Sequence, residues 1–282
     1  MTQDAILKAI EETRAEQVER YRSGVPAGVQ LGPLTSTIRD KARWSTEDQF
    51  PSDQVWADEV ERILSFTQVR GQFEHYLGRL RGNARQRISA LAELRVAFFF
   101  SRNGFRVVEW GLMGANKRQG EFAIKTPSGT DVFVEVKGRS WEGELSKEER
   151  DSGRKQMPKH LHAEVRWVAP WEHIQSAVDK AYGKFRSDTP NLLIIADDLF
   201  VGLEHGTGLN VGLALYEPGH GGRFTNSLME NLGGVGIFCV KRKGVEVWYE
   251  MKLFLNPHAL PAVAIPEQLA LAFNAVDNVD RW

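Results

Sequence analysis

Hydrophobic positions change their period along this chain near residue 104. Before that point apolar residues recur every three or four positions, the signature of amphipathic helices. Residues 2–22 place Ile6, Ile10, Val18 and Tyr21 at helical spacing, with Glu and Arg on the remaining faces. Gly24, Pro26 and Gly28 then open a stretch to residue 52 that reads as a connector. Asp53 suits a helix start ahead of Val55, Val60, Ile63 and Leu64. Phe73, Tyr76, Leu77 and Leu80 mark a second helix or a continuation of the first. A longer pattern over 85–102 ends at Asn103-Gly104, a stop signal for a helix.

After residue 104 the pattern is that of strands. FRVVEW, EFAIKT and TDVFVEVK are short runs separated by the Gly-rich loop GLMGANKRQG and by PSG. A charged segment over 142–164 has no clear period, and residues 171–186 return to helix. NLLIIADDLF is a continuous apolar run of the kind that a strand buried on both faces requires. GIFCVKRKG and VEVWYEMKLFL read as two strands around the turn KRKG, and Pro257, Pro261 and Pro266 precede a short C-terminal helix. The expected organisation is a helical N-terminal extension over 1–84, an α/β core over 85–256 and a tail over 257–282.

One hairpin can be registered by counting. Thr126-Pro127-Ser128-Gly129-Thr130 matches a three-residue loop, with proline at the first turn position and Gly129 able to take a left-handed conformation. Pairing 126 with 130 sets Lys125 against Asp131, Ile124 against Val132, Phe122 against Val134 and Glu121 against Glu135. Phe122, Ile124, Val132, Val134 and Val136 then form a core face. Glu121, Ala123, Lys125, Asp131, Phe133, Glu135 and Lys137 occupy the opposite, non-core face. Lys125 and Asp131 attract, whereas Glu121 and Glu135 are like charges side by side. A cation between those two carboxylates would remove the repulsion.

Composition narrows the class of protein without naming its chemistry. Of 282 residues, 42% are hydrophobic and 26% charged, which is ordinary for a globular chain and excludes collagen-like and disordered types. Thirty-six basic residues against 37 acidic ones rule out a globally basic coat for polyanions, leaving local patches. The single cysteine, Cys239, permits neither a disulfide framework nor a cysteine metal site. No apolar run approaches the roughly 18 residues of a membrane span, and the N-terminus lacks a secretory pattern. A cytoplasmic, non-membrane setting is therefore expected.

Gly120-Glu121-Phe122 followed by Glu135-Val136-Lys137, and preceded by LAELRVAFFFSRNGF, resembles the PD-(D/E)XK, or restriction-endonuclease-like, nuclease superfamily. The helix EHIQSAVDKAYGKF and the strand NLLIIADD follow in the order that family shows, so the resemblance covers about 88–200. It implies an α/β core with a mixed central sheet flanked by helices. It also implies Glu93, Glu121, Glu135 and Lys137 as catalytic residues, with Glu121, Glu135 and the carbonyl of Val136 as ligands of Mg²⁺ or Mn²⁺. One departure is that Gly120-Glu121 stands where the family usually carries Pro-Asp.

That chemistry accounts for the residue types. Phosphodiester hydrolysis needs charge stabilisation at the phosphate and a strong nucleophile at neutral pH, both of which a divalent ion supplies. Lys137 leaves the strand on the same side as Glu135 and could offset charge on the phosphate. Lys117, Arg118, Lys180 and Lys184 are candidate phosphate contacts, as are Arg79, Arg81, Arg85 and Arg87, with a solvated helix face as the alternative for all of them. Gln175, Trp141, the pair His160 and His162, and the glycines of HGTGLNVG read as structural or surface residues rather than chemistry. DNA is preferred to RNA as partner, with a homodimer or a partner protein allowed. The alternative reading is a nuclease-fold protein that does not cleave and serves as a nucleic-acid-binding or assembly subunit.

Overall fold

A computed structural model describes residues 29–39, 54–82, 84–117, 120–138, 170–196 and 210–277. The expected helix over 2–22, the charged segment over 142–164, Arg118, Trp141, His160, His162 and the glycines at 206–208 lie outside the described residues, as does the side chain of Lys117.

The architecture is mixed α/β. Six strands form one sheet in sequence order: β1 (Arg106–Trp110), β2 (Phe122–Lys125), β3 (Asp131–Gly138), β4 (Asn191–Ala196), β5 (Gly234–Lys243) and β6 (Glu246–Leu255). The first three are antiparallel, β3, β4 and β5 run parallel, and β6 returns antiparallel. Parallel neighbours need long crossovers; the one from β3 to β4 carries a helix, and the one from β4 to β5 carries a helical segment over 210–215. This mixed sheet flanked by helices is compatible with the nuclease-like core expected from the sequence.

The helices are α1 (Pro33–Arg39), α2 (Gln54–Val69), α3 (Phe73–Leu80), α4 (Ala84–Arg102), α5 (Pro170–Tyr182) and α6 (Glu267–Ala272). The connector expected over 24–52 therefore contains a helix, α1, whose Ile38 is buried against α2–α4. α2 and α3 are separate helices because Gly71, at φ +70°, reverses the chain between them. α4 ends where expected, with Gly104 at φ +86°. α5 stops at Tyr182, four residues before its expected end, so Lys184 lies in the turn after it.

The hairpin between β2 and β3 has the counted register. Lys125 pairs with Asp131, Ile124 with Val132, Ala123 with Phe133 and Phe122 with Val134. Thr126 N–H donates to the Thr130 carbonyl, Gly129 takes φ +92°, and Lys125 Nζ lies 2.7 Å from Asp131. The core face is also as expected: Phe122, Ile124, Val132, Val134 and Val136 pack with Ala92, Val96, Phe99 and Phe100 of α4.

The opposite face is not an outer one, which corrects the expectation. Phe133 is fully buried there, together with Ile174 and Val178 of α5, Leu193 of β4 and Val235 of β5. Glu135, on the same face, is also fully buried. The reason is topological: the crossover after β3 lays α5 across that face, so both sides of the sheet are covered. A third cluster joins α1–α3 to the outer side of α4 through Val60, Ile63, Leu64, Tyr76, Leu80, Leu94 and Phe98. The C-terminal segment also enters the core, with Leu269 and Phe273 packed beside Phe99 and Phe105. The edge of β6 next to it bridges Phe254 to Val276.

Candidate active site

Three segments place carboxylates at one end of the hairpin. Glu121 immediately precedes β2, one step beyond the last ladder pair, Phe122 with Val134, so the next residues in register are Glu121 and Glu135. Gly120 is required where it stands. A Cβ there would fall 2.2 Å from Cζ of Phe133, so no side chain fits unless that buried ring moves. The glycine thus accompanies the packing of Phe133 and excludes a proline at this position.

Glu93 arrives from α4. Its carboxylate is almost fully buried and is gripped by the guanidinium of Arg79 on α3, Nη1 donating to Oε2 at 2.5 Å and Nη2 to Oε1. Ser89, one turn back on α4, donates to Oε1 at 3.1 Å. Tyr76, one turn before Arg79, lies near the same carboxylate, and Arg79 lies over the Tyr76 ring at 5.4 Å. Burial, then Glu93 and Glu121, push the Tyr76 hydroxyl well above its ordinary range, so it stays a donor.

The charge of Glu93 also bears on Glu121. Burial above all, then the charges of Glu93 and Glu135, push the Glu121 carboxyl up to about 8, against a pull in the other direction from Lys184. The repulsion expected from the counted register is thus present and is amplified by a third carboxylate.

Glu135 carries the cations. Lys137 Nζ donates to its Oε1 at 2.5 Å and Lys184 Nζ to the same atom at 2.6 Å, while Lys184 stands 4.0 Å from Oε1 of Glu121. The other oxygen of Glu135, Oε2, is buried and has no hydrogen-bond partner. A buried carboxylate oxygen without a partner is costly, and such exceptions call for an explanation. Val136 is buried on the core face, so only its carbonyl, not its side chain, could serve a ligand.

Among the described residues no three His, Cys, Asp or Glu side chains converge closely enough to form a metal-ligand cluster. Two carboxylates suffice for a hard ion that keeps several waters. The donors here are all oxygens, and Oε2 of Glu135 is unclaimed, so the residues present fit a small divalent cation better than a soft one.

Several other expected residues sit elsewhere. Lys184 is drawn into the carboxylate cluster, whereas Lys180 is exposed on α5. Arg87 is fully buried, 3.4 Å from the Leu80 carbonyl, and cannot meet a phosphate. Arg81 donates to the Thr37 carbonyl at 2.9 Å. Gln175 is buried and donates to the carbonyls of Ala214 and His220, holding the loop after the 210–215 segment. Sequence reasoning missed Tyr76 and Arg79 as partners of Glu93. The one available signal is a Tyr and an Arg one turn apart on the helix Phe73–Leu80.

No protein-family model matches the chain, and no curated protein is detectably similar to it. A solved structure, SfsA from Pyrococcus furiosus in complex with Ca²⁺, aligns at 13% identity with a TM-score of 0.24 over 58% of this chain and 60% of the length of that one. No helix among the described residues is long and apolar enough to cross a membrane.

Proposed function

We propose that this chain is a metal-dependent nuclease that hydrolyses phosphodiester bonds, in DNA in preference to RNA. The observation that carries the reading is Oε2 of Glu135, buried and without a partner, beside Glu121 at the end of the hairpin. In that reading Glu121, Glu135 and the Val136 carbonyl hold Mg²⁺ or Mn²⁺. The ion, when bound, stabilises charge on the phosphate and lowers the pKa of bound water.

The remaining steps belong to the chain's own groups. Lys137, with 30% of its side chain exposed, presents an ammonium from the Glu135 carboxylate toward solvent, where it can orient water and balance charge on the phosphate. Glu93, fixed by Arg79 and Ser89, sets its charge near Glu121 and raises the pKa of that carboxyl. Lys117, Arg118 and Lys180 remain proposed phosphate contacts, which position a polyanion without reading its sequence.

A second reading has one observation in its favour. Lys137 and Lys184 already neutralise Glu135, so the cluster is electrostatically closed without any ion. On that reading the protein binds nucleic acid, or assembles with a partner, without cleaving. Incubation with single-stranded, double-stranded and structured substrates in Mg²⁺ or Mn²⁺ separates the two: metal-dependent cleavage supports the nuclease, and binding without cleavage supports the alternative.

A further inference from the structure

Lys137 and Lys184 share one oxygen of Glu135 but differ in every other respect. Lys137 is on the same strand, two residues on, and 30% of its side chain is exposed. Lys184 comes from the turn after α5, is only 18% exposed, and alone of the two lies within 4.0 Å of a Glu121 oxygen. Its ammonium therefore stands between two carboxylates that the hairpin register sets side by side.

The turn that delivers it is built for the purpose. Ala115 N–H donates to the Lys184 carbonyl at 2.8 Å, and Asn116 Nδ2 to the Gly183 carbonyl at 3.3 Å. Asn116 adopts a left-handed conformation, φ +54°, to make that contact. The loop that leads into Glu121 is thus tied to the residue that faces it. Phe185, next in the chain, is buried against Phe133, which fixes the backbone on the other side.

We infer that Lys184 is a resident stand-in for the cation: its ammonium holds Glu121 and Glu135 together in the metal-free protein and competes with a divalent ion for these carboxylates. The inference rests on the metal-binding reading above and adds an element of regulation to it. An ammonium and a divalent ion compete for the same carboxylates, so Lys184 lowers metal affinity while keeping the empty site assembled. Once displaced, the same ammonium becomes available to a phosphate, which couples metal loading to substrate.

The test is calorimetric titration of Mn²⁺ into the full chain, parent and Lys184→Met, with thermal melts of each in the absence of metal. Loss of one ammonium at that distance should tighten Mn²⁺ binding by about tenfold and lower the metal-free melting temperature. Lys184→Gln, which keeps a hydrogen-bond donor but no charge, should behave alike and decides the matter if the methionine variant fails to fold. Lys184→Arg should retain parental affinity. Equal or weaker Mn²⁺ binding by the neutral variants, with the parent binding normally, would overturn the stand-in role and leave the metal-binding reading intact. Absence of Mn²⁺ binding in every variant would overturn both.

Discussion

Arg79 on α3 and Glu93 on α4 form a two-pronged ion pair in which the glutamate side chain is 1% exposed and the arginine side chain 34%. The pair ties the N-terminal helical layer to the carboxylate cluster, because the charge of Glu93 in turn bears on Glu121. Arg79→Ala would leave the buried Glu93 charge without its cationic partner. It should destabilise the protein by about 3 kcal/mol, measured by urea unfolding near neutral pH. Glu93→Gln in the same background should recover part of that loss, since it removes the uncompensated charge.

Glu121 makes the metal-free protein sensitive to pH. Its carboxyl lies at about 8 in the folded chain against an ordinary 4.5, so between those values the native state holds a proton that the unfolded state has released. The stabilisation is complete below the unfolded value and is lost as pH rises through the folded one, at a slope of up to about 1.4 kcal/mol per pH unit. Glu121→Gln should flatten the profile between pH 5 and 8. It should also shrink the rise in melting temperature that Mg²⁺ gives at pH 8, which differential scanning calorimetry in the presence and absence of the ion would record.

Gly120→Ala tests the backbone that sets Glu121. Its Cβ would collide with the Phe133 ring, a ring packed between α5 and the sheet. The substitution should cost roughly 1–3 kcal/mol as overpacking does and should reduce cleavage per folded molecule, because Glu121 follows directly. The double variant Gly120→Ala with Phe133→Leu should regain activity more than stability.

A separate buried pair serves as a control. Arg95 on α4 meets Glu59 on α2 through two bonds of 2.9 Å, and Tyr249 on β6 donates to Glu59 at 2.6 Å. Arg95→Met should lower stability by about 3–5 kcal/mol, yet leave the cleavage rate per folded molecule unchanged, as judged by activity normalised to the folded fraction.

The hairpin was legible in the sequence because its register depends on five adjacent residues, Thr126 to Thr130, whose turn chemistry is local. The stop at Gly104 and the split between core and opposite faces of β3 follow from the same kind of short-range rule. The burial of that opposite face was not legible: Phe133 and Glu135 are covered by α5, some forty residues later. Nor did any local pattern couple Arg79 to Glu93 across two helices, or carry Lys184 from an apparent helix surface to a carboxylate 49 positions away. Both are tertiary contacts, and each changed a basic residue from a candidate phosphate contact into part of the cluster. Helix α1 was hidden by the turn residues just before it, since Gly32-Pro33 reads as a break although proline is favoured at a helix's first turn.

The most direct measurement is cleavage of duplex DNA in Mg²⁺ by the parent, Glu135→Ala and Lys137→Ala at equal folded concentration, confirmed by circular dichroism. Glu135→Ala should lose cleavage entirely and Lys137→Ala should fall by about 100- to 1,000-fold, while the parent cuts only when the ion is present. Cleavage by either variant at the parental rate, or parental cleavage that persists in chelator, would contradict the assignment of this hairpin as a metal-dependent nuclease site.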